Sequence, residues 1–252
     1  MQTMHIIDAY CGIGPWADRD RLLPATPAET LAILDGCAIG RALVYSNLAH
    51  AWADAIDVNQ ATVRLCAGNP RFVPAFLLAP HPYDDSPKPA DYAAAMRAAG
   101  ARAAWLRPAS QQHGLAPWQI GGLLDMCAEC RLPLFLPADS GTPEQLDLLG
   151  HEFPRLRLVL ANLSYRDDNW LYPLLRRHAA FCACLGPTYV PPLGPERFVR
   201  HFGTARLIFG SGLPHHAPGG LIGHVMYARI PEAAKQAVLG GNLERLMQEV
   251  CL

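Results

Sequence analysis

Residues 4–14 read MHIIDAYCGIG. Apolar Ile6 and Ile7 on consecutive positions, then a glycine-flanked turn, read as a buried strand opening into a loop. The loop separates two kinds of parallel sheet. A doubly wound dinucleotide fold carries G-x-G-x-x-G at this place, and that motif is not here. Working outward, seven more β-rich runs follow: RALVYS, RFVPAFLL, RAAWLRP, LPLFLPA, RLVLANL, AAFCACLG and RLIFGS. Turn residues bound each run, and helical patterns separate most of them. Eight rounds of strand and helix predict an α/β fold, a single (β/α)8 TIM barrel spanning residues 1–252 as one domain.

The intervening helices carry start signals. In TPAET, Thr26 caps, Pro27 sits in the first turn and Glu29 completes a capping box; TPEQL repeats the pattern with Thr142, Pro143 and Gln145. Near the end, VLGGNLERLM is read as one helix stopping at Gly240 and Gly241 and another starting with Asn242 as its cap.

The 51% hydrophobic and 17% charged composition fits a globular chain with a sizeable core. A net charge of −1 without lysine or arginine runs argues against nucleic acid or an acidic membrane as partner. No apolar stretch approaches the roughly 18 residues that span a bilayer. The first strand starts too early for a cleaved leader, so a cytoplasmic protein is expected. Of the eight cysteines, Cys127 and Cys130 form C-x-x-C, but no second pair accompanies them. They read as packed thiols at a helix end.

In such a barrel, chemistry belongs at the carboxyl ends of the strands. Those positions hold Tyr10, Cys11, Tyr45, Asn47, His81, Arg107, Pro137, Asp139, Asn162, Tyr165, Cys184, Tyr189, Ser211, His215 and His216. Taken together, IDAYCGIG, NPRFVPAFLLAP, RAAWLRP, LPLFLPADSG, FPRLRLVLANL, RLIFGSGLPHH and AVLGGNLERLM resemble the amidohydrolase-related (amidohydrolase 2) barrels. The subgroup is that of aminocarboxymuconate-semialdehyde decarboxylase and related lactone hydrolases. The resemblance implies a divalent metal held by two histidines of H-x-H, one histidine after each of the fifth and sixth strands, and an aspartate after the eighth. The matching positions here hold Tyr10, Gly12, Pro137, Asn162 and Gly212. Glycine and proline offer no side-chain donor, asparagine is a poor ligand and tyrosine must first lose a proton. No metal and no cofactor are therefore expected.

Arg107 closes an apolar strand, so its planar fork is expected to enter the mouth and anchor a carboxylate. The alternative is an ion pair with Asp139. Tyr10 is expected to project inward, offering its phenol to a ligand or to Asn162. His81, Asp139 and His215 are the candidate proton-transfer groups, while Cys11 reads as packed under a helix. Three functions stay open: a divergent, metal-free pseudoenzyme binding a small carboxylate; a metal-independent hydrolase or decarboxylase on a small carboxylated or lactone substrate; and a rebuilt metal site from Cys11, His81, Cys184, His215 and His216. The resemblance also implies a homodimer.

Overall fold

A computed structural model describes residues 4–16, 23–24, 26–51, 54–80 and 82–252. Eight parallel strands lie side by side in chain order: β1 (Ile6–Ile13), β2 (Ile39–Ser46), β3 (Phe72–Leu78), β4 (Ala103–Leu106), β5 (Leu134–Pro137), β6 (Leu158–Ala161), β7 (Cys182–Leu185) and β8 (Leu207–Phe209). Helices α1 (Pro27–Gly36), α2 (Ala55–Cys66), α3 (Pro89–Ala99), the single turn α4 (Pro108–Gln111), α5 (Pro117–Glu129), α6 (Pro143–Glu152), α7 (Asp168–Arg177), α8 (Gly194–Phe202) and α9 (Pro218–Met226) fill the crossovers. The fold is a (β/α)8 barrel. All eight expected strands form, because their near-continuous apolar runs are covered on both faces. Thr26 and Thr142 close the two expected capping boxes. Among the described residues, no helix is long and apolar enough to cross a membrane.

The seam between β1 and β8 is closed unlike the others. Just beyond β8, the Gly212 N–H donates to the Tyr10 carbonyl at 3.0 Å, and the Gly12 N–H donates to the Leu213 carbonyl at 2.9 Å. One step inward, the Asp8 carboxylate accepts from the Ser211 N–H at 2.8 Å, the Ser211 hydroxyl and the Tyr10 N–H at 2.9 Å. Between Asp8 and Cys11 the register of β1 against β2 slips by one residue. Such a bulge alters the local twist, and Ala9 and Tyr10 lie within it.

The C-terminal segment departs from expectation. The chain does not stop at Gly240 and restart at Asn242; α10 (Glu232–Gln236) runs through a π turn (Ala237–Gly241) into α11 (Asn242–Gln248). Asn242 is no cap. Its side-chain amide donates to the Thr204 and Leu207 carbonyls at 2.7 and 2.8 Å, tying the helix to β8. Gly240 is needed for proximity rather than termination, since a Cβ there would overlap the His5 carbonyl oxygen. Gly240→Ala must push the helix off β1 and is expected to cost about 2 kcal/mol, read as a lower urea midpoint. A variant as stable as the parent would show that the helix is free to shift.

Candidate functional site

The upper barrel is plugged by rings. Tyr10, Tyr45, Trp105 and Phe135 come from β1, β2, β4 and β5, with centroids 4.8 Å apart for Tyr10–Trp105, 5.3 Å for Tyr45–Trp105 and 5.0 Å for Trp105–Phe135. Arg107, two residues beyond Trp105 on the same strand face, folds back onto this plug. Its guanidinium carbon lies 4.6 Å from the Trp105 centroid, 4.8 Å from Tyr45 and 5.9 Å from Tyr10. Arg107 is only 6% exposed. Among the described residues no carboxylate pairs with it, and its Nε and Nη2 have no hydrogen-bond partner. The alternative, an ion pair with Asp139, does not form. Cation–π contacts replace it, each worth about 0.5–2 kcal/mol depending on desolvation.

The remaining guanidinium nitrogen, Nη1, contacts His50 Nδ1 at 3.2 Å, and His50 Nε2 lies 3.1 Å from the Tyr45 hydroxyl. A short 3-10 turn after β2, residues Asn47–His50, brings the imidazole there. The Ser110 hydroxyl pins that turn, donating to the Ala49 carbonyl at 2.9 Å and the Arg107 carbonyl at 3.2 Å. Burial, then the Arg107 charge, then His215, push the His50 pKa down to about 2, so the ring is neutral. Burial also drives the Tyr45 phenol well above its ordinary value.

Over this layer lies a cleft of about 440 Å³, lined among others by Tyr10, Trp16, His50, Asp139, Asn162 and His215. Trp16 spans it, 4.3 Å from the His50 ring and 4.2 Å edge-on from His215. Tyr10, Asp139, Asn162 and His215 therefore meet around one opening, while Arg107 lies behind Tyr10 and His50. Asp139, Asn162 and His215 are exposed at the rim. No hydrogen bond joins Tyr10 to Asn162, whose backbone is left-handed at φ 53°. His81 lies outside the described residues. Cys11 and Cys184 are buried with thiols pushed up by desolvation, the state of packed rather than reactive sulfur. Among the described residues no three His, Cys, Asp or Glu side chains converge as metal ligands do.

A larger groove of about 670 Å³ runs between α2 and α3, with Ile56, Val63, Phe76 and Ala95 in its walls. Its buried Asn59 is consumed by the Leu77 backbone at 2.9 and 2.7 Å. The unpartnered guanidinium lies elsewhere, on the ring plug beneath the mouth cleft.

No protein-family model and no curated protein sequence matches the chain. Solved structures do. The 5-carboxyvanillate decarboxylase from Sphingomonas paucimobilis superposes with a TM-score of 0.75 at 15% identity, over 98% of this chain and 100% of that one. A structure described as an amidohydrolase II gives 0.72 at 14%, over 96% and 99%. A dihydroxybenzoic acid decarboxylase from Polaromonas, with manganese and 2-nitroresorcinol bound, gives 0.66 at 12%, over 97% of both chains. The chain shares the barrel fold of these structures.

Does this barrel have room for an ion where the sequence resemblance places one? At Gly12 a Cβ would overlap Asn47 Oδ1 and stand 3.1 Å from the Tyr45 hydroxyl. A histidine does not fit that space. At Gly212, φ is 75° and a Cβ would press at 3.3 Å on both His216 and Pro187. An aspartate there is strained as well as crowded. Tyr10 is turned into the ring plug, Pro137 has no donor and Asn162 offers a neutral amide. This set does not fit a divalent ion.

His50, Trp16 and Asp8 are the residues that sequence reasoning did not single out. His50 and Trp16 had one signal, their place just after β1 or β2 on the strands' carboxyl side. Asp8 had none, because an aspartate inside a strand is only recognisable once its donors are known.

Proposed function

We propose that this barrel works without an ion at its mouth and binds a small carboxylate there, with Arg107 as the anchor. One observation carries the proposal: a buried arginine with two unpartnered nitrogens and, among the described residues, no acid beside it. Buried charges are otherwise paired, because desolvating one costs several kcal/mol. A carboxylate would supply the missing charge and accept both hydrogen bonds. The neighbouring decarboxylases, whose names denote aromatic acids, support the same ligand chemistry.

A second reading is a metal-independent hydrolase or decarboxylase on a small carboxylated or lactone substrate. It is favoured by Asp139 and His215 lining the same cleft as Tyr10. In that reading they move protons at its rim while Arg107 holds the substrate.

Calorimetric titration with acetate, benzoate and succinate, each beside its neutral amide and with chelator present, tests the proposal. Carboxylates are expected to bind and amides to fail, with chelator making no difference. Equal binding of acid and amide, or binding that needs added metal, would overturn it. Turnover of a lactone or an aromatic acid in chelator would promote the second reading over the first.

A further inference from the structure

The contacts of His50 specify its tautomer. An arginine N–H only donates, so His50 Nδ1 must accept from Arg107 Nη1. A neutral imidazole has one acceptor and one donor nitrogen. The hydrogen therefore resides on Nε2 and is donated to the Tyr45 oxygen. The guanidinium nitrogens left over are Nε and Nη2. Those two present parallel N–H bonds along one edge of the planar group, the edge that matches the two oxygens of a carboxylate.

We infer that His50 is a positioning residue: by occupying Nη1 as an Nε2–H imidazole, it turns the guanidinium so that the Nε–Nη2 edge is kept for side-on, two-pronged capture of a carboxylate. The inference rests on the carboxylate reading above and adds the geometry of capture and the residue that sets it. Three features support it besides the contacts. The Ser110 hydroxyl ties the turn bearing His50 to the segment bearing Arg107, fixing one against the other. The rings of Tyr45 and Trp105 hold the guanidinium without using its N–H groups. The titratable groups against His50 are Arg107, Tyr45 and His215, and none is an acid that would draw a proton onto Nδ1. Both free nitrogens are shut off from solvent, so a carboxylate reaches them only by sinking past Tyr10 and His50. That favours a flat, narrow acid over a tetrahedral oxyanion.

A ring merely packed between Trp16 and Tyr45 would not need a fixed tautomer, which separates the two roles. Imidazole nitrogen NMR on isotope-labelled protein, with His50 assigned from the signal missing in His50→Asn, is expected to show a neutral ring protonated at Nε2. A hydrogen on Nδ1, or a cation, would overturn the inference. Benzoate affinity gives the second readout. His50→Asn keeps an acceptor near the Nδ1 position and is expected to bind within about threefold of the parent, whereas His50→Phe should bind about tenfold more weakly. His50→Phe binding as tightly as the parent would sink the role of His50 and leave the carboxylate reading standing. Failure of the parent itself to bind benzoate, acetate or succinate would sink that reading, and this inference with it.

Discussion

Asp8→Ala is expected to destabilise the protein by about 3–5 kcal/mol, because it strands three buried donors at about 1–3 kcal/mol each. Those donors are the Tyr10 and Ser211 N–H groups and the Ser211 hydroxyl, all of which now end on one carboxylate. Asp8→Asn keeps an acceptor and should lose about half as much. The pair of variants also separates charge from hydrogen bonding. Burial raises the Asp8 pKa above its ordinary value, with the Ser211 and Tyr10 hydrogen bonds pulling against it. A carboxyl raised in the fold favours folding most when protonated. Its contribution is complete below the unfolded pKa of 3.8 and fades as pH climbs through the folded value. Urea unfolding from acid to neutral pH should therefore show the parent losing stability relative to Asp8→Asn. Parallel pH profiles would mean that the Asp8 carboxyl has the same pKa folded and unfolded, so that burial does not raise it.

Arg107→Met should abolish carboxylate binding while leaving the fold nearly as stable. Loss of a charge-assisted, two-pronged contact corresponds to about a hundredfold or more in affinity, about 2.7 kcal/mol. Stability moves little, within about 1 kcal/mol in either direction, because three ring contacts are exchanged for relief of a desolvated and unpaired charge. Only His50 Nδ1 is left without its donor. Arg107→Lys retains the charge but not the fork, and about a tenfold weakening is expected. The decisive result is the divergence of two measurements on one variant, affinity by calorimetry and urea midpoint by circular dichroism. A large stability loss with affinity intact would make the guanidinium a structural strut.

The eight strands and the two capping boxes were legible because each is a local pattern: an apolar run of the right length, or Thr-Pro with Glu or Gln at the right offset. The error at Gly240 shows where locality ends. Paired glycines normally stop a helix, but here one of them is required by the approach of the chain entering β1. That contact joins the two ends of the sequence, and no local window contains it. Arg107 was legible as an inward-turned cation, since charge at the end of an apolar strand has nowhere else to bind. Its partner was not. Asp139 was the nearest acid in the pattern, yet it sits exposed on the rim. Trp105, two residues away on the same strand face, is what the guanidinium meets, and alternation along a strand would have named it. His50 needed the 3-10 turn and its Ser110 tether, neither of which leaves a mark in sequence spacing.

The crowding at Gly12 constrains how this chain is able to change. Placing a histidine there runs into Asn47 and Tyr45 at once. Yet shortening Tyr45 first removes the phenol that His50 engages and one ring that holds the Arg107 charge. Substitutions at these positions are thus coupled through shared contacts. A change at Gly12 is therefore expected to be tolerated only together with changes at Asn47 and Tyr45.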